Sequence, residues 1–253
     1  MLKSILAAKR EAVEQQKVLL PEKQLIVPAR SEKLRLQRRL REQPWTLIAE
    51  CKLASPSKGV FDSGKTVQEL AAIYEANGAG VLSILTDSHF NGTLAHLEAV
   101  RRQTRLPLLR KDFIIDRYQI VESAAAGADV VLLIAAVLDE KTLGEYLALA
   151  HSFGLDAIVE VHDEADLKKA ATLAPPIIGI NNRDLRTFRT DVRQTKRLLP
   201  LCPSGSLVIS ESGLFEVGQL TTLQALGVRG ALAGESLVTA ADIGQKVRQM
   251  ALV

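Results

Sequence analysis

Three glutamates and two lysines stand at the polar ends of short apolar runs. Glu50 and Lys52 close TLIAECK (46–52), Lys111 sits in PLLRKDF (107–113), Glu160 in DAIVEV (156–161) and Glu211 in SLVISES (206–212). Asn181 and Arg183 end IIGINNR (177–183), and Ser212 follows Glu211. Charged groups of this kind are costly to bury unless they pair, so one reading of them is a mesh of ion pairs. As a set they fit proton-transfer catalysis better, because acids and bases converging on one concave site can both give and take protons. Glu50 and Lys52 are two residues apart and share one face of a strand. A lysine beside a second cation in a partly dry pocket has its pKa lowered, so Lys111 is expected to donate a proton near neutral pH.

Two segments place glycine beside small polar residues, Ser212-Gly213-Leu214 and Gly234-Glu235-Ser236. Glycines let backbone N–H groups approach an anion, and a helix N-terminus adds its dipole. With Lys52 and Ser55 nearby they predict a phosphate site, and hence a phosphorylated small-molecule substrate, although each segment alone could be an ordinary strand-to-helix turn. Other chemistries lack their residues. His89, His96, His151 and His162 show neither helical i, i+4 pairing nor a flanking ligand cluster, so they are read as loop or helix residues and no metal is expected. Ser212 has no Gly-x-Ser-x-Gly elbow. The Gly-x-Gly of Gly78 and Gly80 precedes its strand, where a dinucleotide fingerprint follows one. No cofactor is expected.

These side chains need a scaffold that presents strand ends together. From Trp45 onward one theme repeats eight times: a short apolar run ending in polar residues, then a stretch with helical periodicity. The remaining runs are GVLSILTD (80–87), DVVLLIAA (129–136) and GALAGES (230–236), with VQELAAIYEANGA and EKTLGEYLALAHSFG typical of the helical stretches. Residues 45–253 divide into units of about 26 residues, enough for a strand, a helix and two loops. Runs such as VVLLIAA are apolar throughout, as parallel strands covered on both faces require. The expected fold is therefore a (β/α)8 TIM barrel at 45–253, one domain with a helical N-terminal extension at 1–44; an open doubly wound sheet is the alternative. Cys51 alternates with Glu50 and Lys52 and is expected to face outward.

In 253 residues, 47% hydrophobic and 24% charged, the chain has the composition of a globular protein, and its net charge is only +3. That charge is uneven: residues 1–44 hold eleven Lys or Arg against five Asp or Glu. No aromatic residue precedes Trp45 for base stacking, so nucleic acid is not an expected partner. Leu34, Leu36 and Leu40 among Arg35, Arg38, Arg39 and Arg41 suit an amphipathic helix docked on the barrel, with any surplus charge attracting an anionic small molecule. The N-terminus lacks the apolar core of an export signal, and the longest apolar stretch, Val130 to Leu138, is too short to span a bilayer. Two cysteines make no disulfide framework. A cytoplasmic protein with no membrane contact and no obligatory protein partner is expected, and Asn91-Gly92-Thr93 reads as a turn.

Six segments, IAECKLASPSKG (48–59), PLLRKDFIID (107–116), IVEVHDEAD (158–166), IGINNRDLRTF (178–188), VISESGL (208–214) and AGESL (233–237), together resemble the indole-3-glycerol-phosphate synthase family. The likeness covers nearly the whole chain. It implies closure of the pyrrole ring of indole in tryptophan biosynthesis, from 1-(o-carboxyphenylamino)-1-deoxyribulose 5-phosphate with loss of carbon dioxide and water, and no cofactor. By this resemblance Lys111 matches the general acid, Glu160 a catalytic carboxylate, and Glu50 and Lys52 a pair serving later proton transfers. Asn181, Arg183, Glu211 and Ser212 match polar substrate contacts, and Ser55 and Pro56 match further substrate-binding positions. Gly213, Gly234, Glu235 and Ser236 with Lys52 and Ser55 match the phosphate cradle, while Phe90, Phe113 and Leu185 would form the apolar wall for the aromatic ring. The isomerase domain that some relatives carry fused is not expected. The nearest rival, a phosphoribosylanthranilate isomerase, needs no paired lysines, and a non-catalytic sugar-phosphate sensor would have lost the acids and bases that are all present here.

Overall fold

The computed structural model describes residues 2–55, 58–61, 63–184 and 189–253. Eight strands form a closed barrel: β1 (Thr46–Cys51), β2 (Val81–Leu85), β3 (Leu108–Lys111), β4 (Val130–Ile134), β5 (Asp156–Val161), β6 (Ile177–Asn181), β7 (Leu207–Glu211) and β8 (Gly230–Ala233). Every strand pairs in parallel with its sequence neighbours, and β8 closes on β1 with Thr46 opposite Gly230. The expected (β/α)8 barrel is observed.

Alternation along each strand sorts side chains into two cores. Ile48, Leu109, Leu132, Ile158, Ile209 and Leu232 fill the barrel interior. Leu47, Ala49, Cys51, Leu82 and Ala231 face outward to the helices, as do Val131, Val159 and Ile180. Cys51 is fully buried on that outer face, as expected, and burial pushes its thiol far above the ordinary range.

The extension contributes α1 (Leu2–Leu19) and α2 (Arg35–Glu42). The barrel helices follow as α3 (Val67–Ala76), α4 (Leu94–Arg101), α5 (Arg117–Ala125), α6 (Glu140–Ser152), α7 (Glu164–Ala171), α8 (Arg193–Leu198) and α9 (Val217–Ala225), with a short α10 (Glu235–Val238) before α11 (Ile243–Ala251). Most barrel helices start on a side-chain cap: Thr66 and Asp116 form capping boxes with Glu69 and Gln119, and Asp139, Asp163 and Asp242 accept first-turn N–H groups. The Trp45 indole N–H donates to the carbonyl of Met250, joining the start of β1 to α11. Asn91 adopts φ 56° after a single turn of 3-10 helix, as the turn reading expects.

The two extension helices occupy opposite ends of the barrel. Leu36 and Leu40 of α2 are fully buried in the interior core and plug its N-terminal end. No local side chain caps α2; the Asp156 carboxylate at the start of β5 does so, accepting N–H bonds from Leu36 at 2.8 Å and Gln37 at 3.2 Å. Nearby, Arg30, Arg35 and Arg101 converge on Asp129 at 3.3, 3.1 and 3.0 Å. Part of the basic surplus of the extension is therefore spent as a staple. Helix α1 runs to the other end, where Lys9 bridges Asp87 (2.8 Å) and Asp112 (2.6 Å) beyond the ends of β2 and β3.

Candidate active site

A cavity of about 120 Å³ opens where the C-terminal ends of the strands meet. Glu50, Lys111, Glu160, Asn181 and Glu211, from β1, β3, β5, β6 and β7, point into it, with Lys52 just past the end of β1. Inward positions near the strand ends are lined by whatever residue the pleat delivers there, which is why charges spread over 160 positions share one small volume.

The charges are arranged in two pairs. Lys111 Nζ lies 3.6 Å from Glu160 Oε2, and Lys52 Nζ lies 3.4 Å from Glu50 Oε1. Burial alone would favour a neutral Lys111, but the carboxylates of Glu160, Glu211 and Glu50 outweigh it and hold the ammonium well above the ordinary lysine range. The expected lowering of this pKa is therefore corrected: three acids, not the second lysine, dominate its surroundings. Burial likewise works against ionised Glu160, yet Lys111 and His162 keep its pKa below the usual carboxylate range. Glu211 goes the other way, its pKa pushed well above the usual carboxylate range by burial and by the like charge of Glu160. Among the described residues no hydrogen-bond partner meets Glu160 Oε2 or either oxygen of Glu211.

One end of the cavity is a backbone cradle. Ser212 and Gly213 follow β7 in the left-handed region (φ 66° and 73°), and Gly213 is further constrained because a Cβ there would sit 2.3 Å from Thr190 Cγ2. A non-glycine residue in this region stores strain, which is typical of functional loops. Gly234 leads into α10, whose first N–H groups, those of Glu235 and Ser236, have no partner within the helix. Gly234 is also where the cradle meets the charges: a Cβ there would lie 2.6 Å from Glu50 Oε1. Ser55 lines the cavity from a small hairpin in which Ala54–Ser55 pairs with Gly59–Val60.

The opposite wall is apolar. Phe90 and Phe113 face the cavity, with Lys52 Nζ 5.6 Å from the Phe90 ring centroid, a cation–π approach. Leu185, expected on this wall, and Pro56, expected to bind substrate, lie outside the described residues.

The whole chain can now be set against known proteins. The family model described as indole-3-glycerol phosphate synthase matches residues 2–250. The chain belongs to this family. It is 46% identical to the indole-3-glycerol phosphate synthase of Roseiflexus sp. (strain RS-1) and 44% identical to that of Roseiflexus castenholzii (strain DSM 13941 / HLO8), each alignment covering 99% of this chain and 97% of the relative. The enzyme of the same name from Dehalococcoides mccartyi (strain CBDB1) is 46% identical over 81% of this chain and 80% of its own. Among solved structures, 3-hexulose-6-phosphate synthase from Salmonella typhimurium superposes with a TM-score of 0.66 at 14% identity, covering 82% of this chain and 97% of that one. A chain of the tryptophan synthase complex from Pyrococcus furiosus gives 0.60 at 14%, covering 82% and 98%. At such identities these two structures speak to the barrel alone.

Several residues of this synthase fold were not singled out from sequence. His162, expected as an ordinary loop residue, does follow β5 in a loop, but its Nε2 lies 3.1 Å from Glu160 Oε1. The signal was present as Glu-x-His and His-x-x-x-Asp spacing in EVHDEAD. Lys58 and Arg183 both pair with the Glu235 carboxylate, Arg183 at 3.1 Å, so the Glu235 side chain, and not only its backbone, takes part at the cradle. Leu2 and Ile5 of α1 close over the cavity, which no pattern in the extension announced. Gly179 gives Glu211 its room: a Cβ there would stand 2.0 Å from Glu211 Oε1. Among the described residues no cluster of His, Cys, Asp and Glu is arranged to hold a metal ion, and no helix is long and apolar enough to cross a membrane.

Proposed function

We propose that this cavity carries out the family's reaction, converting 1-(o-carboxyphenylamino)-1-deoxyribulose 5-phosphate to indole-3-glycerol phosphate, with its residues in the following roles. The phosphate sits at the cradle of Ser55, Gly213, Gly234, Glu235 and Ser236, within reach of Lys52, with Arg183 contacting the substrate beside it. The aromatic ring lies against Phe90 and Phe113, with Leu2 and Ile5 of α1 excluding water above it. This folds a flexible substrate so that the ring carbon faces the ketone, and such positioning supplies several kcal/mol, up to about 7–11 for ideal alignment.

Lys111 then supports the first step. Its ammonium, kept charged by the surrounding acids, stabilises the ketone oxygen as the ring carbon attacks and delivers the proton that makes it a hydroxyl. Loss of carbon dioxide restores the aromatic ring, and loss of that hydroxyl as water completes the indole. The second half needs one group to protonate the leaving hydroxyl and one to accept a proton from the ring. Glu211, whose pKa burial and Glu160 push upward, suits the first task, and the Glu50–Lys52 pair the second, with Asn181 and Ser212 holding the sugar hydroxyls. Glu160 stands beside Lys111 as a carboxylate that keeps its ammonium charged and in place.

The observation that supports this reading most is the convergence of Lys111, Glu160, Glu211 and Glu50 on a cavity that ends in a glycine cradle. The same reading treats extension and barrel as one domain, since α2 lies in the barrel core and α1 covers the site. It puts the enzyme in the cytoplasm, where free thiols such as Cys51 and Cys202 persist, working on its phosphorylated substrate without a protein partner. Incubating the purified protein with the carboxyphenylamino-deoxyribulose phosphate should produce indole fluorescence; none at any pH from 5 to 9 would defeat the proposal.

A further inference from the structure

The Glu160 carboxylate is held from two sides, and only one of them is the cavity. Oε2 faces Lys111 at 3.6 Å, while Oε1 faces His162 Nε2 at 3.1 Å, a close ion-pair contact rather than an aligned hydrogen bond. The far side of the imidazole is fixed in turn: Nδ1 bonds Asp166 Oδ2 at 3.3 Å, and the same oxygen accepts the His162 backbone N–H at 3.1 Å. Asp166 belongs to the first turn of α7, its own N–H donating to the Asp163 cap at 2.9 Å. Gln194 of α8 bonds the His162 carbonyl. The His162 side chain is only 9% exposed and does not line the cavity. It can therefore neither reach the substrate nor swing into solvent.

We propose that His162, oriented by Asp166, is a positioning residue that fixes the Glu160 carboxylate toward Lys111 and keeps it ionised through the reaction. This rests on Glu160 taking part in catalysis as proposed above. The charged groups facing the imidazole are Glu160 on β5, Asp166 on α7 and, beyond Glu160, Glu211 on β7 and Lys111 on β3. Burial opposes a charged ring, but Asp166 and Glu160 outweigh it and push its pKa up to about 10, so the imidazolium persists across the working pH range. The chemical need is specific. When the Lys111 ammonium passes its proton to the ketone oxygen, Glu160 loses the cation on its cavity side. His162 is then the buried positive charge that remains against it, so Glu160 stays a carboxylate aimed at the amine instead of drawing a proton from neighbouring Glu211.

The test uses the full-length enzyme with the variants His162→Gln, Asp166→Asn and Glu160→Gln. Values of kcat and KM are measured from pH 5 to 9, with Tm alongside, and the wild type labelled with [15N]histidine is titrated by NMR. Gln at 162 keeps an amide donor but no charge. His162→Gln is expected to lower kcat by about tenfold, the loss of one charge-assisted contact, with KM nearly unchanged and the acid limb of the kcat profile moved to higher pH. Asp166→Asn should move that limb the same way by less, and the His162 ring should stay protonated from pH 5 to 9. An unmoved acid limb in both folded variants, or a ring titrating near its ordinary 6.5, would overturn the positioning role, and the wild-type titration decides the matter even if His162→Gln does not fold. Full activity in Glu160→Gln would instead remove Glu160 from the mechanism, a separate failure.

Discussion

Replacing Lys111 by Met removes the single ammonium that faces three carboxyl groups, and the cost can be worked from one distance. At 3.6 Å from Glu160, with an effective dielectric of about 20, the attraction is about 5 kcal/mol. One pKa step is 1.36 kcal/mol, so losing this partner should raise the Glu160 pKa by about three. The carboxylate would then titrate inside an accessible pH range instead of below it. Loss of the acid itself should lower the rate by about 10²–10⁴-fold, and because the interaction grows as the ketone oxygen gains charge, the loss should fall on kcat more than on KM. Lys111→Arg separates the two effects: it restores a cation beside Glu160, and so the position of the acid limb, but its longer, planar guanidinium cannot put a single donor where the compact ammonium meets the ketone oxygen, so kcat is not restored. The assay is indole fluorescence under saturating substrate at each pH. A Lys111→Met enzyme with kcat within about threefold of wild type, a difference under 1 kcal/mol in the barrier, would refute this role.

Other expectations follow from the same geometry. Deleting the chain up to Pro21 removes Leu2, Ile5 and Lys9 and should raise KM severalfold, an unchanged KM showing that α1 does not cover the substrate. Leu36→Ala, at the other end, should cost about 2–5 kcal/mol in urea unfolding with kcat per folded molecule preserved. Asp156→Ala should cost about 1 kcal/mol through the lost cap on α2. Burial pushes the Asp156 carboxyl up to about 6 from its usual 3.8. A raised carboxyl favours the folded state more when protonated than when ionised, so this pH-dependent increment, separate from the cap, is complete below pH 3.8 and lost as pH rises through about 6; the unfolding midpoint of Asp156→Asn should vary less over that window than that of wild type. Gly179→Ala pushes a methyl into Glu211 and Ile158. It should destabilise by about 1–3 kcal/mol and depress kcat, and a variant with wild-type kcat would show that the placement of Glu211 is unimportant.

The eightfold repeat, the strand positions and the charged residues at the strand ends that line the cavity were legible along the chain because each is a local matter. Side chains alternate across a strand by covalent geometry, so a charge at the end of an apolar run has a defined side, and the barrel rule turns that side into a shared pocket. Glycines at 213 and 234 announced a cradle for the same reason, by what a missing Cβ permits. The substrate contact at Pro56 and the ring-wall contact at Leu185 rest on the resemblance alone.

What the chain could not state was anything set by distance between its parts. The direction of the Lys111 shift depends on which charges stand nearest, and acids from three other strands lie there, a fact that no spacing encodes because Coulomb energy follows separation in space. His162 became more than a loop residue only once its ring was found 3.1 Å from Glu160 and braced by Asp166. The amphipathic pattern of α2 foretold docking, but its place in the barrel floor and its cap from Asp156, 120 residues away, come from packing. Sequence determined which groups exist and which way each one leans from its own strand. Tertiary structure decided their neighbours, and through those neighbours which proton each group holds.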